Sequence, residues 1–402
     1  MISFMLRLAP GVALILGLLS ILVPAHAFTL ATWNAEQGSV ESITRREATL
    51  SKLGDVLRAN AGGALPDVLV LQEITSWAAA ARVGRALGYT GATLAITDSG
   101  NDKEIWPFAL EVAIVTTKPV VSITSYQSRA DERFPPFSVA LPAGDVTFGQ
   151  VQTVNVPPEV ALRDKETIPR AILRMEIEGG IVIYGVHLNS SGLGFCRVED
   201  AIKGARDLQE KAEALGLDAD AKAIEKAIKS VRSGMKSARN PGIEATKQET
   251  LRRARSREAA AGAIALLATE DIRAGKSVFV AGDFNTPLQE VCKSGEKLNE
   301  DAEPLMGCAT KLEASMCKGK DGFDDTYAAL TKGLIGNVRF RVLTEGIGRT
   351  YAKGDFVDSP IDNVLVAGAL SSSSFAAIKL KGAENDPTFG SDHYPVVVRS
   401  TP

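Results

Sequence analysis

The run Ser277-Val278-Phe279-Val280-Ala281-Gly282-Asp283-Phe284-Asn285-Thr286-Pro287 constrains this chain more than any other stretch. Val278 to Ala281 is a short apolar run, the pattern of a buried strand. Gly282 ends it, and Pro287 stops any return to regular structure. Asp283 and Asn285 lie two apart at the strand's end, so both side chains point to one side while Phe284 turns into the core. A carboxylate and an amide are thereby aimed at one point. Taken alone, the same residues also suit a capped turn, because Asp and Asn are turn formers. The polar residues on other buried strands decide between the two.

Such strands recur along the chain. Phe28 to Asn34 is a strand that ends on Asn34. Asp67 to Glu73 is apolar with Glu73 just past its end, although Glu73 also suits the cap of a helix expected through Trp77 and Ala81. Glu111 leads the strand that runs to Val115, and Thr116-Thr117-Lys118-Pro119 turns the chain. Arg170 to Ile177 alternates, Gly179-Gly180 makes a tight turn, and Ile181 to Asn189 follows, which predicts an antiparallel hairpin with His187 near its far end. A lone strand-end His is more often structural than catalytic. Asp362 opens a further strand, and Asp392-His393 precedes the last one, Val396 to Val398. Ile43 to Ala59 has the apolar spacing of a helix.

The first 27 residues stand apart. Arg7, an apolar run from Val12 to Val23, and Pro24-Ala25-His26-Ala27 make a secretory signal peptide cleaved after Ala27. The alternative is an uncleaved anchor, for which the run is short. Export to the periplasm or medium makes Cys196, Cys292, Cys308 and Cys317 candidates for disulfides, in three possible pairings. They have no Cys-x-x-Cys spacing and no His nearby, which argues against zinc. The remaining chain, 28–402, is long enough for one large α/β domain or two, and a net charge of -3 gives no preference for a partner.

Residues 196–257 differ in character. Ile202, Ala205, Leu208, Ala212 and Leu215 recur at helical spacing, as do Ile224, Ala227, Ile228 and Val231. Asn240-Pro241-Gly242 breaks the pattern into a hairpin of helices. From Lys222 to Arg257 there are eleven Lys/Arg against three Asp/Glu. Lys226, Lys229, Arg232, Lys236 and Arg239 recur three or four apart, forming one stripe on a helix. A solvated face is the plain explanation; a patch for a polyanion such as nucleic acid or an acidic membrane is the functional one.

Together the strand-end polar residues are Asn34, Glu73, His187, Asn189, Asp283, Asn285, Asp362, Asp392 and His393. Strand ends of a layered sheet converge on one cleft. Two imidazoles and several carboxylates there suit metal-assisted attack of water on a phosphate. Neither a P-loop nor a Gly-x-Ser-x-Gly elbow is present.

Thr-Trp-Asn, Leu-Gln-Glu, His-Leu-Asn, Gly-Asp-Phe-Asn, Ile-Asp-Asn and Ser-Asp-His-Tyr-Pro-Val occur in this order from Phe28 onward. In them the chain resembles the endonuclease/exonuclease/phosphatase superfamily, which includes deoxyribonuclease I, exonuclease III-like repair enzymes and bacterial sphingomyelinases. The resemblance implies an α/β fold, a four-layer sandwich of two mainly antiparallel sheets flanked by helices. It implies Mg2+, with Mn2+ or Ca2+ as substitutes, held by Glu73 with Asn34 beside it and Asp392 as second carboxylate. His393, oriented by Asp362, would be the general base or the group that polarises the phosphate. Asp283 would position or deprotonate the water, and Asn285 would bind the phosphate oxygen. His187 would act on the leaving oxygen, paired with Glu111, and Arg170 would contact phosphate. Cys292, which closely follows the Gly-Asp-Phe-Asn strand, would be disulfide-bonded to Cys308 or Cys317. The expected activity is that of an exported endonuclease on DNA or RNA, with Lys229, Arg232 and Lys236 of the basic hairpin, and Asn189, binding substrate. Membrane phospholipid, in the manner of a sphingomyelinase, and small phosphomonoesters are the alternatives. No protein partner is implied.

Overall fold

The computed structural model describes residues 27–97, 111–127, 137–141, 147–150, 152–155, 171–188, 205–206, 208–236, 241–286, 288, 326–332, 339–352 and 360–401. Residues 1–26 of the expected signal peptide, Arg170, Asn189 and all four cysteines lie outside the described residues.

In chain order the first elements are β1 (Thr29–Gly38), α1 (Val40–Arg45), α2 (Glu47–Asn60), β2 (Val68–Ile74), α3 (Trp77–Leu87), β3 (Ala92–Ile96) and β4 (Glu111–Thr116). There follow β5 (Val120–Gln127), β6 (Phe137–Leu141), β7 (Thr147–Gln150), β8 (Gln152–Asn155), β9 (Ile172–Ile177) and β10 (Ile181–His187). Then come α4 (Asp218–Lys236), α5 (Pro241–Arg273), β11 (Ser277–Asp283), α6 (Thr326–Lys332) and β12 (Arg341–Val342). The chain closes with β13 (Asp362–Gly368), β14 (Phe375–Lys379) and β15 (Val396–Ser400).

Among the described residues the strands form two sheets. The first is ordered β14-β15-β1-β2-β4-β3-β6-β7 and the second β12-β13-β11-β10-β9-β5-β8. Most neighbours are antiparallel; β1–β2, β10–β11 and β5–β8 are parallel. Side-chain alternation sorts every central strand into two faces. Leu30, Val70, Ile114, Ile183, Phe279, Ala281 and Val364 meet between the sheets. Ala31, Trp33, Leu69 and Leu71 face the other way, onto Leu50, Leu53 and Leu57 of α2 and Ala80 and Val83 of α3. Val182, Tyr184, Val278, Val280 and Leu365 face outward from the second sheet, onto Ala260, Ile264 and Ala268 of α5. The result is the expected four layers: helix, sheet, sheet, helix. Each fully buried large apolar side chain in them contributes roughly 1.5–3 kcal/mol by leaving water.

Several elements differ from the sequence expectation. The helix expected over Ile43 to Ala59 is two helices, broken at Arg46, whose guanidinium donates to Ala35 O at 2.9 Å and Ser42 Oγ at 3.0 Å. The hairpin of β9 and β10 forms as expected, with Gly179 and Gly180 at positive φ in its turn. The second helix of the expected insertion runs on past 257: α5 starts on Pro241, where a missing N–H costs nothing, and continues to Arg273 as one helix. Its second half is not insertion surface but the outer layer over β11. Ala227, at helical spacing with Ile224 and Ile228, is exposed, while Ala221 and Ile228 are buried.

One buried ionic cluster fixes α5 to the second sheet. Arg174 on β9 grips Asp271 of α5 with two nitrogens, Nε at 2.9 Å and Nη2 at 2.6 Å. Tyr184 of β10 donates to the same carboxylate at 2.7 Å. Arg174 and Tyr184 stand directly opposite in register, so the link ties β9, β10 and α5 at one level.

Candidate active site

Register builds the site. β10 pairs with β11 so that His187 lies opposite Asp283, and β11 pairs with β13 so that Asp283 lies opposite Asp362. By alternation all three follow Ile183, Phe279 and Val364 onto the face between the sheets. On the facing sheet Asn34 lies opposite Gln72 at the ends of β1 and β2, again on the inner face. The two sheets thus present their polar strand ends to each other beyond the last apolar layer.

Gly282 makes this register possible. Its φ is 149°, and a Cβ there would stand 1.9 Å from the Val186 carbonyl oxygen on β10. Only glycine lets β10 and β11 stay paired up to His187 and Asp283. Phe284 then buries fully in the outer core, as expected, and Asn285 takes a left-handed conformation at φ 53°. Glu73 reaches the cleft by a different device. Alternation alone would send it to the helix side, but β2 is irregular between Leu71 and Ile74, and Glu73 has φ 59°. A non-glycine residue held in this region is a strain that clusters at functional sites.

The side chains form two groups that share Asp283. In the first, His187 Nε2 lies 3.7 Å from Glu73 Oε1 and 3.6 Å from Asp283 Oδ2. Asn34 Nδ2 donates to both carboxylates, at 3.1 Å to Glu73 and 2.9 Å to Asp283. Gln37 N donates to the other Glu73 oxygen at 3.1 Å. The Asn34 amide oxygen is taken by Glu36 N at 3.0 Å. Asn34, expected at the metal, thus turns its amide nitrogen to the two carboxylates and braces them.

In the second group, His393 Nδ1 and Asp362 Oδ2 are 2.8 Å apart, both buried. This is the expected pair. His393 Nε2 faces Asp283 Oδ2 at 3.9 Å and Asp392 Oδ1 at 3.7 Å. Asn285 N donates to Asp283 Oδ1 at 2.7 Å, and its side-chain nitrogen donates to Leu188 O at 2.9 Å and Asp283 Oδ2 at 3.2 Å. Asn285 and Asp283 thus share one side of the strand end, as the spacing predicted. Glu111 opens β4 and accepts from the Thr97 hydroxyl; its pairing with His187 rests on the resemblance alone. Lys229 of the basic stripe is exposed and paired with Glu225 at 2.5 Å. The side chains of Arg232 and Lys236 lie outside the description.

Burial raises the Asp283 carboxyl from its ordinary value to about 7; the Asp362 charge adds to this, against the pull of His393 and the donors Asn285 and Asn34. Burial alone would lower the His393 pKa, but the carboxylates of Asp362, Asp283 and Asp392 outweigh it and raise it to about 10. The two shifts run in opposite senses: the imidazole is favoured in its charged form and the carboxyl in its neutral form.

Residues outside the expected set complete the frame. Ser391 Oγ donates to Asn34 O at 2.7 Å and accepts from His393 N at 3.1 Å, linking the two groups. Thr350 Oγ1 accepts from the N–H of both Ile361 and Asp362 at 3.1 Å. Tyr351 sets its ring edge-on to His393 at 5.0 Å. Ser391 sits inside a motif; Thr350 and Tyr351 lie in a segment without apolar periodicity and have no local signal.

Glu73, His187 and Asp283 each offer one atom, all within 4.8 Å of one another, and Asp283, Asp362 and His393 do likewise. Two anionic oxygens and an imidazole fit a divalent cation, and the donor set admits one.

The chain belongs to the endonuclease/exonuclease/phosphatase family, whose model matches residues 31–393. Among solved structures it is similar to truncated TDP2 from Caenorhabditis elegans, at 11% identity and TM-score 0.42, covering 94% of this chain and 98% of that one. An AP endonuclease from Archaeoglobus fulgidus is 16% identical at TM-score 0.44, with 92% and 98% covered. SmcL is 15% identical at TM-score 0.40, with 93% and 99% covered. No match was found among curated proteins.

Proposed function

We propose that this chain is an exported, magnesium-dependent phosphodiesterase that cuts nucleic acid by in-line attack of water. The observation that carries the reading is the meeting, at Asp283, of a carboxylate–imidazole group able to hold a cation and a buried Asp362–His393 pair. Members of the family hydrolyse phosphate esters, and this arrangement supplies what that reaction needs. A cation bound at Glu73, with Asp283 and His187 at hand, would neutralise charge on the phosphate.

The chain's own residues divide the remaining work. Asp362 accepts from His393 Nδ1 and fixes the ring, so Nε2–H points at the phosphate oxygen and holds it as a positive donor. Asp283 takes the proton of the attacking water. Asn285 and Asn34 hold that carboxylate in place. His187 stands on the other side of Asp283, where it can deliver a proton to the leaving oxygen. Between the two roles open to His393, the raised pKa favours the polarising cation over the base.

The test is product analysis. Mature protein with magnesium is offered plasmid DNA, RNA, sphingomyelin and a phosphomonoester. Internal cuts in DNA or RNA support the reading. Hydrolysis of sphingomyelin or of the monoester in their place removes it.

A further inference from the structure

We infer that Lys379 and Lys381, at the end of β14, form a cationic rim that seats a second phosphate of a polyanionic strand, beyond the one held at His393. The inference rests on the nucleic-acid reading and specifies how the strand leaves the site.

Topology places the rim. β14 and β15 are antiparallel, with Lys379 opposite Val396. The C-terminal end of β14 therefore lies where β15 begins, three residues after His393. That is also the end of the first sheet at which β1 carries Asn34 and β2 carries Glu73. A second link comes from the segment before Ala352. Tyr394 N donates to Thr350 O at 2.7 Å, Ala352 N donates to Asp392 O at 2.7 Å, and Tyr351 bridges His393.

Lys379 is not an ordinary mobile surface lysine. Its Nζ donates to Arg349 O at 2.8 Å and lies 5.2 Å from the centre of the Tyr394 ring. The ammonium is thus ordered in advance, one residue along from His393. Burial lowers its pKa, and the like charges of Lys381 and Arg349 push the same way. Among the described residues no carboxylate forms an ion pair with Lys379 or Lys381. In the following turn Asp386 accepts from Gly390 N at 2.6 Å. Two lysine charges with no carboxylate paired to them among the described residues make a site that an anion relieves. A single-phosphate substrate held at His393 ends short of it, whereas a strand continues into it.

The experiment uses the mature chain, a labelled single-stranded oligonucleotide, and bis(p-nitrophenyl) phosphate as a substrate with one phosphate. Lys381→Gln and Lys379→Gln/Lys381→Gln are compared with the parent; Lys381 is exposed, so the single variant guards against misfolding. Each lost contact should flatten the slope of log KM against log salt by about 0.7 and, at 0.15 M salt, raise KM for the oligonucleotide roughly four-fold. The double variant should show both effects twice over, with kcat and turnover of the small diester unchanged. A parent that cuts the oligonucleotide and variants that keep its salt slope overturn the rim alone. A parent that neither binds nor cuts the oligonucleotide overturns the nucleic-acid reading, and the rim with it.

Discussion

Replacing Asp362 with Asn tests how the buried pair works. The substitution keeps size and shape but exchanges a charged acceptor, 2.8 Å from His393 Nδ1, for a neutral amide. Asp362 is the largest of the carboxylate influences that raise the His393 pKa against burial. Removing it weakens the hold on the imidazolium against burial and leaves only Asp283 and Asp392 to favour the charged ring. A hydrogen bond to a charged group is worth about 1.5–3 kcal/mol, which is roughly a 10- to 150-fold loss if only the bond counts. If the ring also loses its charge and tautomer, the loss approaches about 10⁴, as in Asp-to-Asn variants of hydrolase triads. The expected kcat/KM of Asp362→Asn is therefore lower by between about 10 and 10⁴, with KM little changed. The double variant Asp362→Asn/His393→Ala should be hardly worse than His393→Ala alone, because the two act as one unit. The assay is steady-state hydrolysis of an oligonucleotide with saturating magnesium, with thermal unfolding as a check on the fold. A loss under about three-fold, or strictly additive losses in the cycle, refutes the pair.

Other outcomes follow from the same geometry. In metal-free protein the Asp283 carboxyl, followed by carbon NMR, should hold its proton up to about pH 7, and magnesium should move the midpoint downward by competing with that proton. Because the folded chain keeps this proton while the unfolded chain releases it, the group's contribution to stability is lost as pH rises from about 4 through 7; a midpoint near 4 contradicts the description. Gly282→Ala should cost at least about 3 kcal/mol, since its methyl meets the Val186 carbonyl at 1.9 Å, and calorimetry showing an unchanged Tm counts against the register argument. Cys292 should be disulfide-bonded in exported protein, closing a loop that could stabilise by roughly 3 kcal/mol; a free thiol in non-reducing peptide maps rules this out.

The strands that carry the site were legible because their signal is local. Val278 to Ala281, Val68 to Leu71 and Ile181 to Val186 are apolar runs bounded by Gly or a polar residue, and each forms the strand it predicts. The pairing of Asp283 with His187 and Asp362 was only partly legible, because register is set by contacts between strands far apart in sequence. Edge strands such as β14, five residues long and partly exposed, carry little pattern and went unread. The direction of Glu73 was not legible at all: it depends on an irregularity in β2 that no local residue announces. Asn34 shows the limit on roles. Its position at a strand end was readable, but which end of its amide meets the carboxylates depends on the Glu36 N–H, supplied by a turn. The full length of α5 was not legible for a compositional reason, since the basic and Ala-rich halves of one helix resemble two elements.

The central claim is that Glu73 holds the cation on which hydrolysis depends. Its carboxylate is the most exposed of the first group, at 19%, and takes an N–H from Asn34 and from Gln37, so Glu73→Gln removes charge without opening the core. The measurement is magnesium titration of nucleic-acid hydrolysis by parent and Glu73→Gln protein of equal thermal stability. The account predicts no parent activity in chelator, saturable activation by magnesium, and loss of at least about 10²-fold in the variant at every magnesium concentration. Activity of Glu73→Gln within a few-fold of the parent across the titration would contradict it.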